Sequence, residues 1–423
     1  MPEPESTSRT EQWSPPSPQE PSLPPVPGAA VLDRGPRTTA SLMVAVAVLT
    51  GIAAVVASAV VDVRLRDPDG FLGPSYVRLP VLVLVFLLTD LVPRVVSRLW
   101  AVRATGAPRA AVVVAVVAER LTRRRLVQVV VGLLSFYVTY VGYRNLKNYL
   151  PFLRGDLHDA GLLRLDRDMA FGADPAEVLH TVLGTTVAAE VLSVAYLFLM
   201  VFVPLSLVTA LVWARDPRDG YWYATALGLN WALGTVSYYL LPSLGPVYAT
   251  PVEYADLERT GVTDLQESLL RSRVLVLADP TGTDRIHGIA AFASLHVSLV
   301  LTAALVAQAM RLSALIRWAL WVYVLLTAVA TVYFGWHYLV DVAGGVVIAV
   351  VSVWSGALAT RSWRHRPGVS PRPGPAPTTP ATTADVPPGR RGADGPGRWS
   401  SEAGTAGARR RRAARPPGPA ARR

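Results

Sequence analysis

Residues 335–360 read GWHYLVDVAGGVVIAVVSVWSGALAT, a polar pair followed by a long apolar run. About 20 helical residues suffice to cross the hydrocarbon core of a bilayer, so segment 338–360 is predicted to be a membrane-spanning helix. Gly335 is expected to break the chain before it. His337 and Asp341 stand four residues apart at its start, and this spacing places both on one face of a helix.

The rest of the chain follows the same apolar pattern. Its 423 residues are 51% hydrophobic and only 17% charged, with a mean hydropathy of +0.35, which is more apolar than a typical soluble domain. We therefore predict an all-α fold, a polytopic membrane helical bundle of about eight transmembrane helices. The predicted spans are 39–61, 79–98, 126–143, 187–212, 221–241, 294–311, 315–334 and 338–360.

Two shorter features qualify this picture. Asp90 and Arg94 interrupt the second span and are expected to pair, because they lie one helical turn apart. The apolar run 110–118 is too short to span a bilayer and is expected to extend a helix along the surface.

The distribution of arginines predicts the orientation. Segment 94–125 holds eight arginines, and such excess positive charge marks cytoplasmic loops. Eight spans then place both termini in the cytoplasm. The chain is expected to be a multi-pass protein of the plasma membrane, with the starts of the sixth and eighth spans facing outside.

Four regions follow from these patterns. Residues 1–38 contain ten prolines and are expected to form a disordered cytoplasmic arm. Residues 39–125 are predicted to form two accessory transmembrane helices and a basic loop, and residues 126–360 a membrane domain of six helices, which holds the candidate catalytic residues described below. Residues 361–423 are expected to be a disordered cytoplasmic tail.

The tail explains the net charge of the protein. It carries 14 arginines and three acids, a balance of +11 that equals the formal net charge of the whole chain. Anionic lipids of the inner leaflet are its expected partner. The alternative is that the arginines only keep the C-terminus inside. Nucleic-acid binding is not expected, since the tail shows neither a regular interleaving of aromatic with basic residues nor a folded module.

Lys147 is the only lysine among 41 basic residues. A compact ammonium differs from the planar arginine fork, so position 147 is a candidate phosphate contact, although a lone lysine also arises by chance in an arginine-rich composition. Arg144 and Arg154 flank it. The three cations could form a cradle for phosphate, or the arginines could simply reach towards the membrane interface.

The sixth span opens with Ser294-Leu295-His296. A helix N-terminus suits a phosphate oxygen, whereas the simpler interpretation of Ser294 is an N-cap. His296 could give a proton to a leaving alkoxide or be an ordinary interfacial histidine. For His337, Asp341 could fix the tautomer and leave Nε2 free to attack phosphorus; a purely structural pair is the alternative.

Together these motifs form a pattern with complementary roles. The third span delivers Lys147 to the outer end of the bundle, where the sixth and eighth spans begin. Phosphoryl transfer needs mainly positioning and charge neutralisation, so the set is sufficient for it. The sequence contains no cysteine and shows no cluster of metal-binding aspartates, and therefore we expect neither a metal nor a cofactor.

The motifs Lys147-x6-Arg154, Ser294-x-His296 and His337-x3-Asp341 resemble those of the type-2 phosphatidic acid phosphatase superfamily, most closely its inositol phosphorylceramide synthase-like branch. The resemblance covers about residues 126–360. The sequence departs from the usual pattern at several positions that carry other residues in the family: Gly155, Ala293, Leu295, Ala330 and Thr331. Thr331 stands where the family has an arginine.

The resemblance implies a six-helix phosphatase core and a phosphohistidine formed on His337. It implies that Asp341 orients this histidine, that His296 protonates the leaving group, and that phosphate is held by Lys147, Arg154 and Ser294. Arg144 could replace the missing arginine.

The activity implied is that of a metal-independent lipid phosphate phosphatase or phosphotransferase at the extracytoplasmic leaflet. The Ser-Leu-His form favours phosphoinositol transfer from phosphatidylinositol. A catalytically inactive membrane scaffold and a transporter of the same fold are the alternatives.

Two outer segments are expected to determine specificity. Segment 151–186 is predicted to place an amphipathic, lipid-gathering helix in the interface, and segment 242–293 to fold over the site. Glu190, an acid inside a span, is a candidate substrate contact. His287 could contact a polar head group, with a place on the surface as the alternative.

Overall fold

The structure, a computed structural model, describes residues 40–70, 73–103, 108–214 and 216–362. These residues are helical apart from loops, one 3-10 turn at Pro251–Tyr254, and a two-residue antiparallel pairing of Asp69–Gly70 with Gly73–Pro74. The helices are α1 (Ser41–Val61), α2 (Ser75–Ala101), α3 (Arg109–Arg120), α4 (Arg123–Leu153), α5 (Asp159–Met169), α6 (Pro175–Leu183), α7 (Val187–Trp213), α8 (Pro217–Leu240), α9 (Pro246–Ala249), α10 (Gly261–Ala278), α11 (Leu295–Ala309), α12 (Ala314–Tyr333) and α13 (Leu339–Thr360).

The prediction of an all-α polytopic membrane bundle is confirmed. Each of the eight predicted spans falls on a helix, namely α1, α2, α4, α7, α8, α11, α12 and α13. Five of these are long and apolar enough to cross a membrane: α1, α4, α7, α12 and α13. α11 is apolar but has only 15 residues. The predicted arm 1–38 and almost all of the predicted tail 361–423 lie outside the described residues.

α4 is the helix that carries the polar residues furthest into the bundle. It begins after Thr122, whose side chain accepts from the backbone N–H of Arg125, and it runs to Leu153. It therefore continues ten residues beyond the apolar span predicted at 126–143. Asn145 and Asn148 are fully buried in this extension, because neighbouring elements cover it.

An aromatic core lies where α4 meets α8. The ring of Tyr143 lies 4.6 Å from that of Trp231 and 6.3 Å from that of Tyr238. Ring pairs at such distances add to the stability gained from burial. α7, α11 and α13 complete this core, with Leu207, Leu299 and other buried side chains packed around it.

The first two helices attach to the bundle through specific polar contacts. The α1–α2 connection is held by Asn145, which accepts from Arg66 N at 2.9 Å and donates to Arg66 O at 2.7 Å. Asp90 pairs with Arg94 at 3.1 Å, as predicted, and also with Arg120 of α3 at 2.9 Å. The apolar run 110–118 thus belongs to a separate helix, α3, docked on α2.

The α12–α13 connection depends on two glycines. Gly335 has φ +66°, a conformation that favours glycine, and a Cβ there would lie 2.5 Å from the ring of Tyr254. Gly245 has φ +100°, and its Cβ would lie 2.6 Å from the carbonyl oxygen of Trp336. The expected break at Gly335 is confirmed, and it delivers His337 to the start of α13.

Candidate functional site

The two predicted histidines meet at one end of the bundle. His337 Nδ1 lies 3.3 Å from Asp341 Oδ2, and His337 Nε2 lies 3.1 Å from His296 Nδ1. A carboxylate accepts hydrogen bonds, so Nδ1 of His337 carries the hydrogen and Nε2 keeps its lone pair. In that tautomer the Nε2 lone pair of His337 faces Nδ1 of His296.

The backbone ties the two motifs together. The N–H of Ser294 donates to the carbonyl oxygen of Asp341 at 2.9 Å, so the starts of α11 and α13 are fixed relative to each other. The Ser294 side chain caps α11 by accepting from Val297 N at 3.4 Å. The N-cap interpretation of Ser294 is therefore confirmed, and its O–H is the group that could donate to a phosphate oxygen.

Aromatic rings orient His296. Its imidazole stacks on the ring of Tyr196 at 4.6 Å, and Tyr196 stacks in turn on Trp336 at 5.4 Å. Both aromatic residues are buried. Stacking restricts rotation of the imidazole, and it leaves the Nδ1 edge facing His337.

Lys147 lies close to the two histidines and has no acidic partner among the described residues. Its side chain is 7% exposed, and Nζ lies 4.6 Å from the centre of the Tyr238 ring and 5.9 Å from that of Tyr143. Among the described residues none accepts a hydrogen bond from Nζ or pairs with it. Buried charges are normally paired, so Lys147 is a candidate contact for an anion.

The environment of His337 favours the neutral imidazole. Burial of the ring lowers its pKa to about 3, and the positive charge of Lys147 acts in the same direction. His337 is therefore unprotonated at neutral pH, the form in which Nε2 can act as a nucleophile.

His287 and Arg144 lie beside Lys147. His287 is fully buried, so the alternative of a surface position is wrong; its backbone N–H donates to Asn148 Oδ1 at 3.0 Å and its Nε2 lies 3.1 Å from the carbonyl oxygen of Asn148. A Cβ added at Gly288 would lie 3.0 Å from Nη1 of Arg144. The second outer segment thus covers the end of α4, as predicted for 242–293.

Arg154 points elsewhere. Its guanidinium donates to the carbonyl oxygen of Tyr239 at 2.7 Å and pairs with Asp156 at 2.9 Å, and 38% of its side chain is exposed. It lines a cavity of about 190 Å³ together with Arg273 of α10. These contacts hold Arg154 at the wall of the cavity, and the prediction that it holds the reacting phosphate remains untested.

Glu190 lies outside the buried cluster, whereas Thr331 lies inside it. Glu190 is exposed in the first turn of α7, whereas the side chains of that helix that face the bundle include Ser193 and Tyr196. Thr331, which stands where the resemblance expects an arginine, is fully buried and donates to the carbonyl oxygen of Ala328 at 2.9 Å. Its own carbonyl accepts from the backbone N–H groups of Trp336 and His337.

Sequence reasoning missed two carboxylates that hold the α13 start. Asp166 accepts from Leu339 N at 2.8 Å and from Val340 N at 2.9 Å, which caps α13. Asp159 accepts from the hydroxyl of Tyr338 at 2.9 Å. Both are buried on α5. Asp159 and Asp166 are seven residues apart, which is two turns on one face of a helix, and this spacing could have indicated a shared role. In the sequence analysis the segment is instead interpreted as an amphipathic helix in the interface.

Metal ligands are not grouped in the described ranges: no three His, Asp or Glu side chains there could share an ion. Metal independence stays a prediction, to be tested with chelator.

In a comparison with protein families, residues 160–355 match the PAP2 superfamily. The match includes Ser294, His296, His337 and Asp341, and it begins after Lys147 and Arg154. It supports the resemblance to the type-2 phosphatidic acid phosphatase superfamily seen in the motifs. Comparisons with curated proteins and with solved structures found no match.

Proposed function

We propose that this protein is a lipid phosphate phosphatase or phosphotransferase of the PAP2 type that works through a phosphohistidine on His337. The observation that carries the proposal is the line Asp341–His337–His296, with contacts of 3.3 and 3.1 Å, beside the unpaired ammonium of Lys147. The match to the PAP2 superfamily supports a phosphatase-type activity on lipid phosphates.

The first chemical step forms a bond between His337 Nε2 and phosphorus. The ester bond between phosphorus and the lipid oxygen breaks, and the leaving oxygen takes a proton from His296, which enters this step as the imidazolium and becomes neutral. Asp341 accepts from Nδ1–H and stabilises the positive imidazolium that results. Lys147 offsets the negative charge on the phosphate oxygens, and Ser294 and Arg144 are the further candidates for this role.

The second step releases the phosphate. Water, or the hydroxyl of an acceptor, attacks phosphorus and gives a proton to His296, and the bond from phosphorus to Nε2 breaks. His337 returns to its starting form. With water the product is inorganic phosphate or a phosphate monoester; with an acceptor alcohol the phosphoryl-bearing group is transferred.

The finer proposal is phosphoinositol transfer from phosphatidylinositol at the extracytoplasmic leaflet. It is supported by the Ser294-Leu295-His296 form of the second motif and by the arginine bias that places this end of the bundle outside. Partly apolar surfaces near the site suit a lipid: Leu165 and Met169 of α5 and Phe171, which follows it, are exposed.

The proposal is tested with purified protein in liposomes. Phosphatidic acid and phosphatidylinositol are each supplied with and without EDTA, and free phosphate and transferred inositol phosphate are measured. His337→Ala and His296→Ala are expected to lower turnover by about 10³-fold or more. His158→Ala is the matched control, because His158 is a partly exposed histidine of the α4–α5 connection with 38% of its side chain accessible.

Turnover that survives His337→Ala, or that EDTA abolishes, would contradict the mechanism. A wild-type protein that is inactive on every lipid phosphate would instead favour the scaffold, an alternative for which Thr331 in place of arginine is the specific observation.

A further inference from the structure

The ammonium of Lys147 lies against the faces of two aromatic rings. Its Nζ atom lies 4.6 Å from the centre of the Tyr238 ring, which belongs to α8, and 5.9 Å from that of Tyr143, one turn earlier on α4. A cation within about 6 Å of a ring centre is attracted by the negative face of the ring, and the attraction is stronger where water is excluded. Both rings are buried, so these contacts stabilise the ammonium.

The buried acids of the described residues bind other groups. Asp341 contacts Nδ1 of His337 at 3.3 Å. Asp159 and Asp166 accept from backbone N–H groups. An acid beside Lys147 would neutralise the ammonium before a phosphate could bind. A ring face carries no net charge, so it attracts the ammonium and leaves the positive charge available to an anion.

Tyr238 is the middle one of three consecutive residues of α8 that connect separate parts of the site. Ser237 Oγ accepts from Ala293 N at 3.0 Å, and Ala293 directly precedes the motif of the sixth predicted span. The hydroxyl of Tyr239 donates to the carbonyl oxygen of Leu146 at 2.8 Å, and Leu146 directly precedes the lysine. These contacts fix α8 against both segments, and therefore they fix the position of the intervening ring.

We propose that Tyr238 is a positioning residue for Lys147, because the face of its ring holds the ammonium where a phosphate binds. Tyr143 supplies a second and more distant face. The hydroxyl of Tyr238 is not needed for this contact, since the attraction comes from the ring. The inference rests on the proposed function for the role of Lys147 as a phosphate contact, whereas the contact between ring and ammonium does not depend on it.

Fluorinated rings at position 238 test the proposal. Tyr238→Phe is compared with mono-, di- and trifluorophenylalanine at the same position, because each fluorine weakens the negative face and changes the shape of the ring little. Initial rates on phosphatidic acid are measured with the full-length protein in liposomes. Tyr238→Phe should keep most of kcat/KM, and the trifluorinated ring should lower it by about tenfold, the loss that corresponds to one desolvated cation–π contact.

Phe136 is the matched control. It is a buried ring of α4 that stacks on Tyr140 at 6.1 Å. It lies three helical turns before Lys147, about 16 Å along the axis. Because this distance is too long for a cation–π contact, the same fluorinated series at position 136 should leave kcat/KM within about twofold of wild type.

A double-mutant cycle tests the ring–ammonium contact without turnover. Thermal unfolding is followed in nanodiscs with either Lys147 or Lys147→Met, which removes the charge. With Lys147 present, the trifluorinated ring should lower the unfolding temperature by about 2–4 °C relative to Tyr238→Phe. With Lys147→Met this difference should vanish, because the two positions then no longer interact.

A constant kcat/KM across the series at position 238 would overturn the proposal, as would a loss for Tyr238→Phe as large as that for the trifluorinated ring. A fluorine effect on unfolding that persists with Lys147→Met would also overturn it. If His337→Ala retained full turnover, the phosphohistidine would fail while the unfolding cycle still decided the contact. If His337→Ala were inactive and the cycle showed no coupling, only the role of Tyr238 would fail.

Discussion

At the scale of single residues, the burial of neutral histidines predicts how stability depends on pH. Burial, with the charges of Arg273 and Lys147, lowers the pKa of His287 from 6.5 to about 3. The unfolded chain therefore binds a proton below about pH 6.5 that the folded protein does not take up until about pH 3. The free energy of unfolding is unaffected above this range and falls as the pH drops through it, by up to about 1.4 kcal/mol per pH unit for one such group.

His287→Asn removes this contribution. Thermal unfolding of the protein in nanodiscs, followed from pH 7.5 to pH 4.5, should show a shallower fall in the unfolding temperature for this variant than for wild type. His158→Asn, a change at a partly exposed histidine, should follow the wild-type curve. Parallel curves for wild type and His287→Asn would show that folding does not shift the pKa of His287, which would contradict the prediction.

At the scale of the elements, the start of α13 determines where His337 points. Asp166 of α5 caps it through Leu339 N and Val340 N, and α5 thereby sets the position of the His337–Asp341 pair. Asp166→Asn keeps one acceptor oxygen but loses the charge and one of the two bonds. Loss of a cap costs about 1 kcal/mol, and a small displacement of a nucleophile costs catalysis up to about 10²-fold.

The expected result for Asp166→Asn is therefore a modest loss of stability with a larger loss of kcat, and with KM nearly unchanged. Asp168→Asn is the matched control, since Asp168 is exposed two residues along the same helix. Thermal unfolding and initial rates on phosphatidic acid measure the two effects. If kcat fell only in proportion to the folded fraction, Asp166 would be structural and would not position the nucleophile.

How far the sequence predicts the elements can be seen in α4 and α5. Hydropathy locates α4 because the apolar run of this helix is long. The hydropathy pattern ends the span at residue 143, whereas the helix continues through Asn145 and Lys147, because tertiary packing buries these polar residues. The four-residue spacing predicts that His337 and Asp341 are neighbours, but the expected shared helix face is wrong, because His337 lies before Tyr338, the N-cap of α13. The capping role of Asp166 and the place of Arg273 depend on how the outer helices fold back on the bundle, and no local pattern encodes that.

At the scale of the whole molecule, the described helices place two sets of connections at opposite ends of the bundle. The C-terminal end of α4 and the N-terminal ends of α11 and α13 lie at the end of the bundle that holds His337. The helices α5, α6 and α10 lie at this end as well. The α11–α12 connection, with Arg311, lies at the other end. The arginine bias predicts that the histidine end faces outside and the α11–α12 connection faces the cytoplasm.

Because the chain has no cysteine, single introduced thiols can test this orientation without any background. Phe171 is fully exposed between α5 and α6, and Leu312 is 37% exposed in the α11–α12 connection. In intact cells a membrane-impermeant maleimide should label Phe171→Cys, and it should label Leu312→Cys only after permeabilisation, since the bilayer excludes the charged reagent. The reverse pattern would place the histidine pair in the cytoplasm, and its substrates would then have to come from the inner leaflet.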